Sequence, residues 1–286
     1  MNATKDFYTE QEIRDRLSIS TLVFFQFRPL GEGALKELTD HGIHRIELLQ
    51  CPEQYNMTNA RSMKLMQAMF DSYGIQVVAY HAHLTHFLDV DSESKRVERV
   101  GACRKQIDTM LELGGTVWGS HAGDVNATVV KSYTELARHV EGTQAAITVE
   151  NFASASTWVE ERVAFLDTID HEQVGMILDI GHVRDDQGRN PMTMPGGPTR
   201  VLKMCAKHLR HVHLHGFKDG RDHHPPLVEG DTIQWVELFH MLKTTSYGGA
   251  INFEPSGEPI HSTSLPHTAA FPHKIVALAA GIDQES

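Results

Sequence analysis

Short apolar runs recur along the chain, too short for helices, and most of them end in a polar residue able to hold a metal or a proton. Val77-Val78-Ala79-Tyr80 leads to His81, and Val117-Trp118-Gly119-Ser120 leads to His121. Ala146-Ile147-Thr148-Val149 leads to Glu150, and Met176-Ile177-Leu178 to Asp179. His211-Val212 leads to His213, and Ile251-Asn252-Phe253 to Glu254. Two earlier runs, residues 19–25 and 43–49, complete a set of eight, the second with Glu47 inside it. Runs of this length read as strands.

Between them, apolar residues return at helical spacing. Ala34, Leu35 and Leu38 open one helix, which Gly42 stops. Met63, Met66, Met69 and Phe70 form a stripe closed by Gly74 and read as core packing. Residues 92–113 predict a longer helix with Val97, Val100, Ile107, Met110 and Leu111 inward and Gly114-Gly115 as its stop. Residues 129–140 and 158–169 predict two more, and residues 199–207 a short one. Trp235, Leu238, Phe239 and Leu242 repeat at i, i+3, i+4 and i+7. Strands alternating with helices build a parallel sheet. Eight such units in 286 residues predict an α/β chain folded as a (β/α)8 TIM barrel. The expectation is a single domain over residues 1–286 with a short N-terminal extension. The strand ends of such a barrel share one face, and that face carries the active site. Two long connections, residues 183–200 and 216–231, leave strands on it.

Composition narrows the function classes. A formal charge of −11 weighs against a nucleic-acid partner, since phosphate contacts supply most of such affinity. No apolar run approaches the length of a membrane span, and residues 1–17 lack the basic start and apolar stretch of a secretory signal. Only Cys51, Cys103 and Cys205 occur, widely spaced, so neither a disulfide framework nor a thiolate zinc site is expected. These features predict a cytoplasmic enzyme, with homo-oligomerisation left open. The 19 histidines are the stronger signal, because imidazole is the commonest protein metal ligand.

Glu150, Asp179, His213 and Glu254 stand at four strand ends. Three carboxylates and one imidazole cannot crowd together unpaired, so the set predicts a bound cation. Oxygen-rich ligation with one nitrogen suits Mn²⁺ best, with Co²⁺, Mg²⁺ or Zn²⁺ as alternatives. In Asp179-Ile180-Gly181-His182 a carboxylate leaves the strand and an imidazole follows three positions later, so both can face one cavity. His81 and His121 could each be a ligand, a substrate contact or a core histidine. Asp222, His223 and His224 form a polar cluster in the loop after the seventh strand, where solvation and ligation both remain open.

Thr148-Val149-Glu150-Asn151, Leu178-Asp179-Ile180-Gly181-His182, His211-Val212-His213-Leu214 and Asn252-Phe253-Glu254-Pro255 together resemble the xylose-isomerase-like TIM-barrel superfamily, which joins sugar phosphate isomerases and epimerases with endonuclease IV. Leu227-Val228-Glu229-Gly230-Asp231, followed by Ile233 and Trp235, is similar to its strand-7 loop signature. The resemblance to the ketose-epimerase branch implies that Glu150, Asp179, His213 and Glu254 are the metal ligands and that His182 touches substrate. It also implies that Glu150 and Glu254 act as the acid and base. That branch carries a further glutamate where this chain has Ser156 and an arginine where it has Asp219, which points away from a free ketohexose. The endonuclease IV branch uses nine zinc ligands, matched here by His81, His121, Glu150, Asp179, His182, His213, Asp222, His224 and Glu254. Convincing counterparts of its DNA-inserting aromatic and arginine residues are missing.

The expected function is a divalent-metal-dependent isomerase or epimerase acting on a small-molecule sugar, keto-sugar or polyol derivative through an enediolate. A dehydratase or eliminase is a close variant, and a phosphodiesterase with a multinuclear zinc site is the alternative. Glu150 and Glu254 are the expected catalytic pair; His182, His121, His81 and Lys218 are the expected substrate contacts.

Overall fold

The computed structural model describes residues 7–25, 28–51, 60–83, 87–152, 159–256 and 261–281. A short helix α1 (Glu10–Arg14), with Thr9 and Glu12 forming a capping box, precedes the first strand. Eight parallel strands follow: β1 (Leu17–Ser20), β2 (Arg45–Leu49), β3 (Gln76–His81), β4 (Val117–Ser120), β5 (Ala146–Glu150), β6 (Val174–Asp179), β7 (Leu209–His213) and, after a two-stranded hairpin of β8 (Gly216–Lys218) and β9 (Arg221–His224), β10 (Ile251–Phe253). Helices α2 (Glu32–Asp40), α3 (Ala60–Tyr73), α4 (Glu93–Glu112), α5 (Ala127–His139), α6 (Val159–Ile169), α7 (Gly197–Cys205), α8 (Trp235–Thr244) and α9 (His261–Ala279) connect or follow them.

The sheet runs β10-β1-β2-β3-β4-β5-β6-β7. Leu214, just past β7, brings the two ends together: its N–H donates to Asn252 O at 2.9 Å, and Glu254 N–H donates to its carbonyl at 2.8 Å. The result is a nearly closed TIM barrel, as the strand–helix alternation predicts. None of the described helices is long and apolar enough to cross a membrane.

Side chains alternate along each strand, and the alternation sorts chemistry from packing. Ile46, Leu48, Ile147, Val149, Met176, Leu178, Val212, Ile251 and Phe253 belong to the apolar core beneath the helices. The residues between them point into the barrel. Phe253 stacks into an aromatic cluster with Phe271 of α9 at 4.8 Å, and Trp235 and Phe239 of α8 lie 5.1 and 5.0 Å from the same ring. Rings of this kind each bury roughly 150–250 Å², an upper figure of about 4–6 kcal/mol at about 25 cal/mol/Å². That anchors β10 immediately before Glu254.

Two expectations are corrected. Residues 19–25 do not form one strand: the Ser20 hydroxyl accepts Leu22 N–H, and the chain turns into a 3-10 helix, Thr21–Phe24. Val97 is not inward but 56% exposed. The neighbouring Arg96 is buried instead, and its guanidinium binds Glu93 and Glu135 at 2.8 Å each. Trp158, Ser156 and His86 lie outside the described residues.

Candidate metal centre

Glu150 is the hub of the site. It ends β5, points inward and is 1% exposed. Its Oε2 lies 3.0 Å from His81 Nε2 at the end of β3 and 3.3 Å from His121 Nε2 just past β4. Its Oε1 lies 3.1 Å from His182 Nδ1. Asp179 ends β6, and Asn151 clamps its backbone: the Asn151 amide donates to Asp179 O at 2.9 Å and accepts Asp179 N–H at 2.8 Å. Asp179 Oδ1 then accepts the N–H groups of Gly181 at 2.7 Å and His182 at 2.9 Å, which turns the chain so that the His182 ring faces Glu150. His215 Nε2 lies 3.0 Å from the same oxygen.

His213 is where the carboxylates converge. Its Nδ1 is 3.1 Å from Glu254 Oε2, 3.5 Å from Glu150 Oε2 and 3.9 Å from Asp179 Oδ2. Carboxylates from β5, β6 and the end of β10 thus converge on His213, with Glu254 meeting the set through His213.

Electrostatics follow from this crowding. Burial alone pushes the Glu150 carboxyl up, but the charges of His121 and His213 and hydrogen bonds from His121 and His182 hold it well below the usual range. Burial likewise pushes Glu47 up, and His213 and His211 bring it well down. Asp179 is held low against burial by His182 and His215. Burial lowers His182, yet Asp179 and Glu150 raise it to about 10. His213 is raised well above the ordinary value, against burial, by Glu254, Glu47 and Glu150. These directions favour ionised carboxylates paired with protonated imidazoles when no cation is bound.

The residues fit a metal ion. His213 Nδ1 and Asp179 Oδ2 are buried without a hydrogen-bond partner. Donor atoms of Glu150, Asp179 and His213 all lie within 4.8 Å of one another. Orphaned buried polar atoms of this kind call for an ion or a proton. Three further groups meet the same spacing among the described residues: Glu47, His211 and His213; His81, His121 and Glu150; and His182, Asp222 and His223.

Of the other expected site residues, His182 lies beside Glu150 and Asp179 and faces Asp222 Oδ2 at 3.5 Å. His81 and His121 face Glu150, and His121 stacks on Phe152 at 3.7 Å between centroids. Lys218 is not brought into contact with this cluster; its side chain lies along Gly230 on the strand-7 hairpin. On that hairpin His223, rather than His224, turns to the site. It adopts φ +62°, stacks on His215 at 4.6 Å and pairs through Nδ1 with Glu254 O at 2.9 Å. Asp219 sits in the hairpin turn at φ +53°.

Sequence reasoning missed Glu47, His211, His215 and Asn151. Strand alternation could have found the first three, because His211, His213 and His215 share one parity and Glu47 is the polar residue between outward Ile46 and Leu48.

Residues 35–274 match the family described as xylose isomerase-like TIM barrel, and the chain belongs to that family. Solved structures agree on the fold. D-psicose 3-epimerase from Clostridium cellulolyticum H10, with D-tagatose, superposes with a TM-score of 0.70 at 15% identity, over 92% of this chain and 98% of that one. The 3-keto-D-glucoside 4-epimerase of E. coli gives 0.71 at 14% identity, over 91% and 99%. A xylose isomerase-like TIM barrel protein from Mycobacterium smegmatis in complex with magnesium gives 0.72 at 13%, over 96% and 99%. Comparison with curated proteins finds no match.

Proposed function

We propose that the chain is a divalent-metal-dependent isomerase or epimerase of a sugar, keto-sugar or polyol derivative. One observation carries the reading: Glu150 and Glu254 arrive from different walls of the barrel and both lie within 3.5 Å of His213 Nδ1. Similarity to two sugar epimerases and a magnesium-bound barrel supports it.

Glu150, Asp179, His213 and Glu254 would hold the cation, Mn²⁺ by preference for three carboxylates and one nitrogen. When bound, it supplies Lewis-acid polarisation of a carbonyl oxygen and the neighbouring hydroxyl. One of Glu150 and Glu254 takes a proton from the carbon beside the carbonyl, leaving an enediolate, and the other returns a proton to carbon. His81 and His121 orient Glu150 through its Oε2. His182, the most open of these imidazoles, faces the substrate oxygens. Lys218 reaches substrate only from the hairpin side.

The test is exchange of substrate C–H protons in D₂O across a panel of keto-sugars and keto-inositols, with metal-loaded protein. Exchange that requires metal and both glutamates supports the reading; exchange that persists after chelation, or in both Glu→Gln variants, sinks it.

A second reading has its own observation. His81 and His121 both reach Glu150 Oε2 through Nε2, at 3.0 and 3.3 Å. His81, His121 and Glu150 could hold a second ion and His182, Asp222 and His223 a third, as a phosphodiesterase with a multinuclear zinc site would require. Metal count separates the two, one per chain against two or three. The expected outcome is one metal and no incision of abasic DNA.

A further inference from the structure

Glu47 lies midway along β2, and its side chain is 1% exposed. It reaches across the barrel interior to β7. Its Oε2 is 3.0 Å from His211 Nε2 and 3.0 Å from His213 Nε2. The two imidazoles are i and i+2 on one strand, with rings 5.6 Å apart and nearly perpendicular at 86°. One carboxylate oxygen therefore faces both. Neither Glu47 nor His211 has a part in the proton transfer proposed above.

We propose that Glu47 is a positioning residue that fixes the tautomer of His213, accepting the Nε2 proton so that Nδ1 alone is presented to the cation. The inference rests on the metal reading. A neutral imidazole has one donor nitrogen and one acceptor nitrogen. The opposite tautomer would place an Nε2 lone pair 3.0 Å from a buried carboxylate oxygen, a contact with no proton in it. Donation to Glu47 removes that option and leaves the Nδ1 lone pair facing Glu254, Glu150 and Asp179. A carboxylate behind a ligating imidazole also raises its basicity and locks its ring. His211 completes the arrangement by binding the same oxygen from one turn of the pleat below, which restrains the Glu47 side chain.

The experiment uses ¹⁵N-histidine-labelled protein loaded with Zn²⁺, a diamagnetic probe, and long-range ¹H–¹⁵N spectra that report each ring nitrogen. The expected result is His213 protonated at Nε2 and ligating through Nδ1. Ligation through Nε2 overturns the proposal in the unmodified protein, whatever becomes of any variant. In Glu47→Gln, whose amide can no longer accept from both rings as a charged oxygen, affinity for Co²⁺ by direct titration should fall about 10–100-fold. In His211→Phe it should stay within a few-fold, because Glu47 still serves His213. Unchanged affinity in Glu47→Gln also overturns the proposal. If the unmodified protein binds neither Zn²⁺ nor Co²⁺, the metal reading fails. The tautomer is then read from metal-free protein at a pH high enough to neutralise His213, where an Nε2 proton still supports the role of Glu47 and an Nδ1 proton refutes it.

Discussion

Gly181→Ala should damage the candidate metal centre without removing any of its side chains. Gly181 sits between Ile180 and His182, in the turn built on Asp179 Oδ1. A methyl group added there would overlap the His215 ring at Cε1, and would stand 2.6 Å from Asp222 Cβ and 2.8 Å from His215 Nε2. Carbon atoms in contact settle at about 3.5–4.0 Å, so the ring must retreat by more than roughly 1 Å. It has nowhere easy to go. His215 is fully buried, its Nε2 faces Asp179 Oδ1 at 3.0 Å, and its Nδ1 accepts His223 N–H at 3.0 Å. Overpacking of this kind costs about 1–3 kcal/mol, and a lost hydrogen bond to a charged group about 1.5–3 kcal/mol more. The expected loss of stability is therefore about 2.5–6 kcal/mol by urea denaturation. Displacement of Asp179 by about 1 Å should also lower turnover about 10²-fold. Gly101→Ala is the control: it lies inside α4 with nothing within 4 Å of an added Cβ, and should stabilise by about 0.5–1 kcal/mol. Wild-type stability and metal affinity in Gly181→Ala would refute the packing of the hairpin against this turn.

Glu150→Gln and Glu254→Gln should each lower turnover about 10²–10⁴-fold while circular dichroism stays unchanged; near-wild-type exchange in either would move the acid–base role elsewhere. Saturating Mn²⁺ at about 100 times its dissociation constant should stabilise the fold by about 2.7 kcal/mol, and chelator should reverse this in a thermal melt. With chelator present, stability should fall as pH rises. His182 is raised to about 10, so its contribution is complete below about pH 6.5 and is lost toward pH 10, and His81, His213 and His215, raised too, act in the same direction. Metal binding should show the opposite trend, strengthening with pH as protons leave the imidazoles. A metal-free protein that gains stability between pH 6 and pH 9 would show that these histidines are not charged partners of the carboxylates.

The barrel, and the placing of four candidate site residues at its strand ends, were legible for the same reason. A parallel strand buried on both faces leaves a run of Val, Ile and Leu, and a polar residue at its C-terminal end has one place to go. Glu150, Asp179, His213 and Glu254 each stand at such an end. What escaped was set by contacts that linear spacing does not encode. Ser20 reads as part of an apolar run, yet its hydroxyl caps the following turn and ends the strand. Val97 satisfies a helical stripe, but the inward position goes to Arg96 because Glu93 and Glu135 neutralise it. On the hairpin, Asp222, His223 and His224 are equivalent as a polar triplet. Only the left-handed backbone at His223 decides which imidazole meets His182.

Glu47 shows where the limit lies. Its neighbours Ile46 and Leu48 face the helices, so alternation alone sends its carboxylate into the barrel. Alternation equally sends His211 inward, two residues before His213. Neither fact says that the two meet, because β2 and β7 are paired not with each other but through β1 and β10. The meeting depends on barrel closure, through Leu214 to Asn252 and Glu254. Closure turns a polar residue that looks like a defect in one strand into the partner of a candidate ligand on another. The inward ring of a barrel therefore has to be read around its circumference, by parity and strand order together, before a buried carboxylate in mid-strand can be assigned to packing or to chemistry.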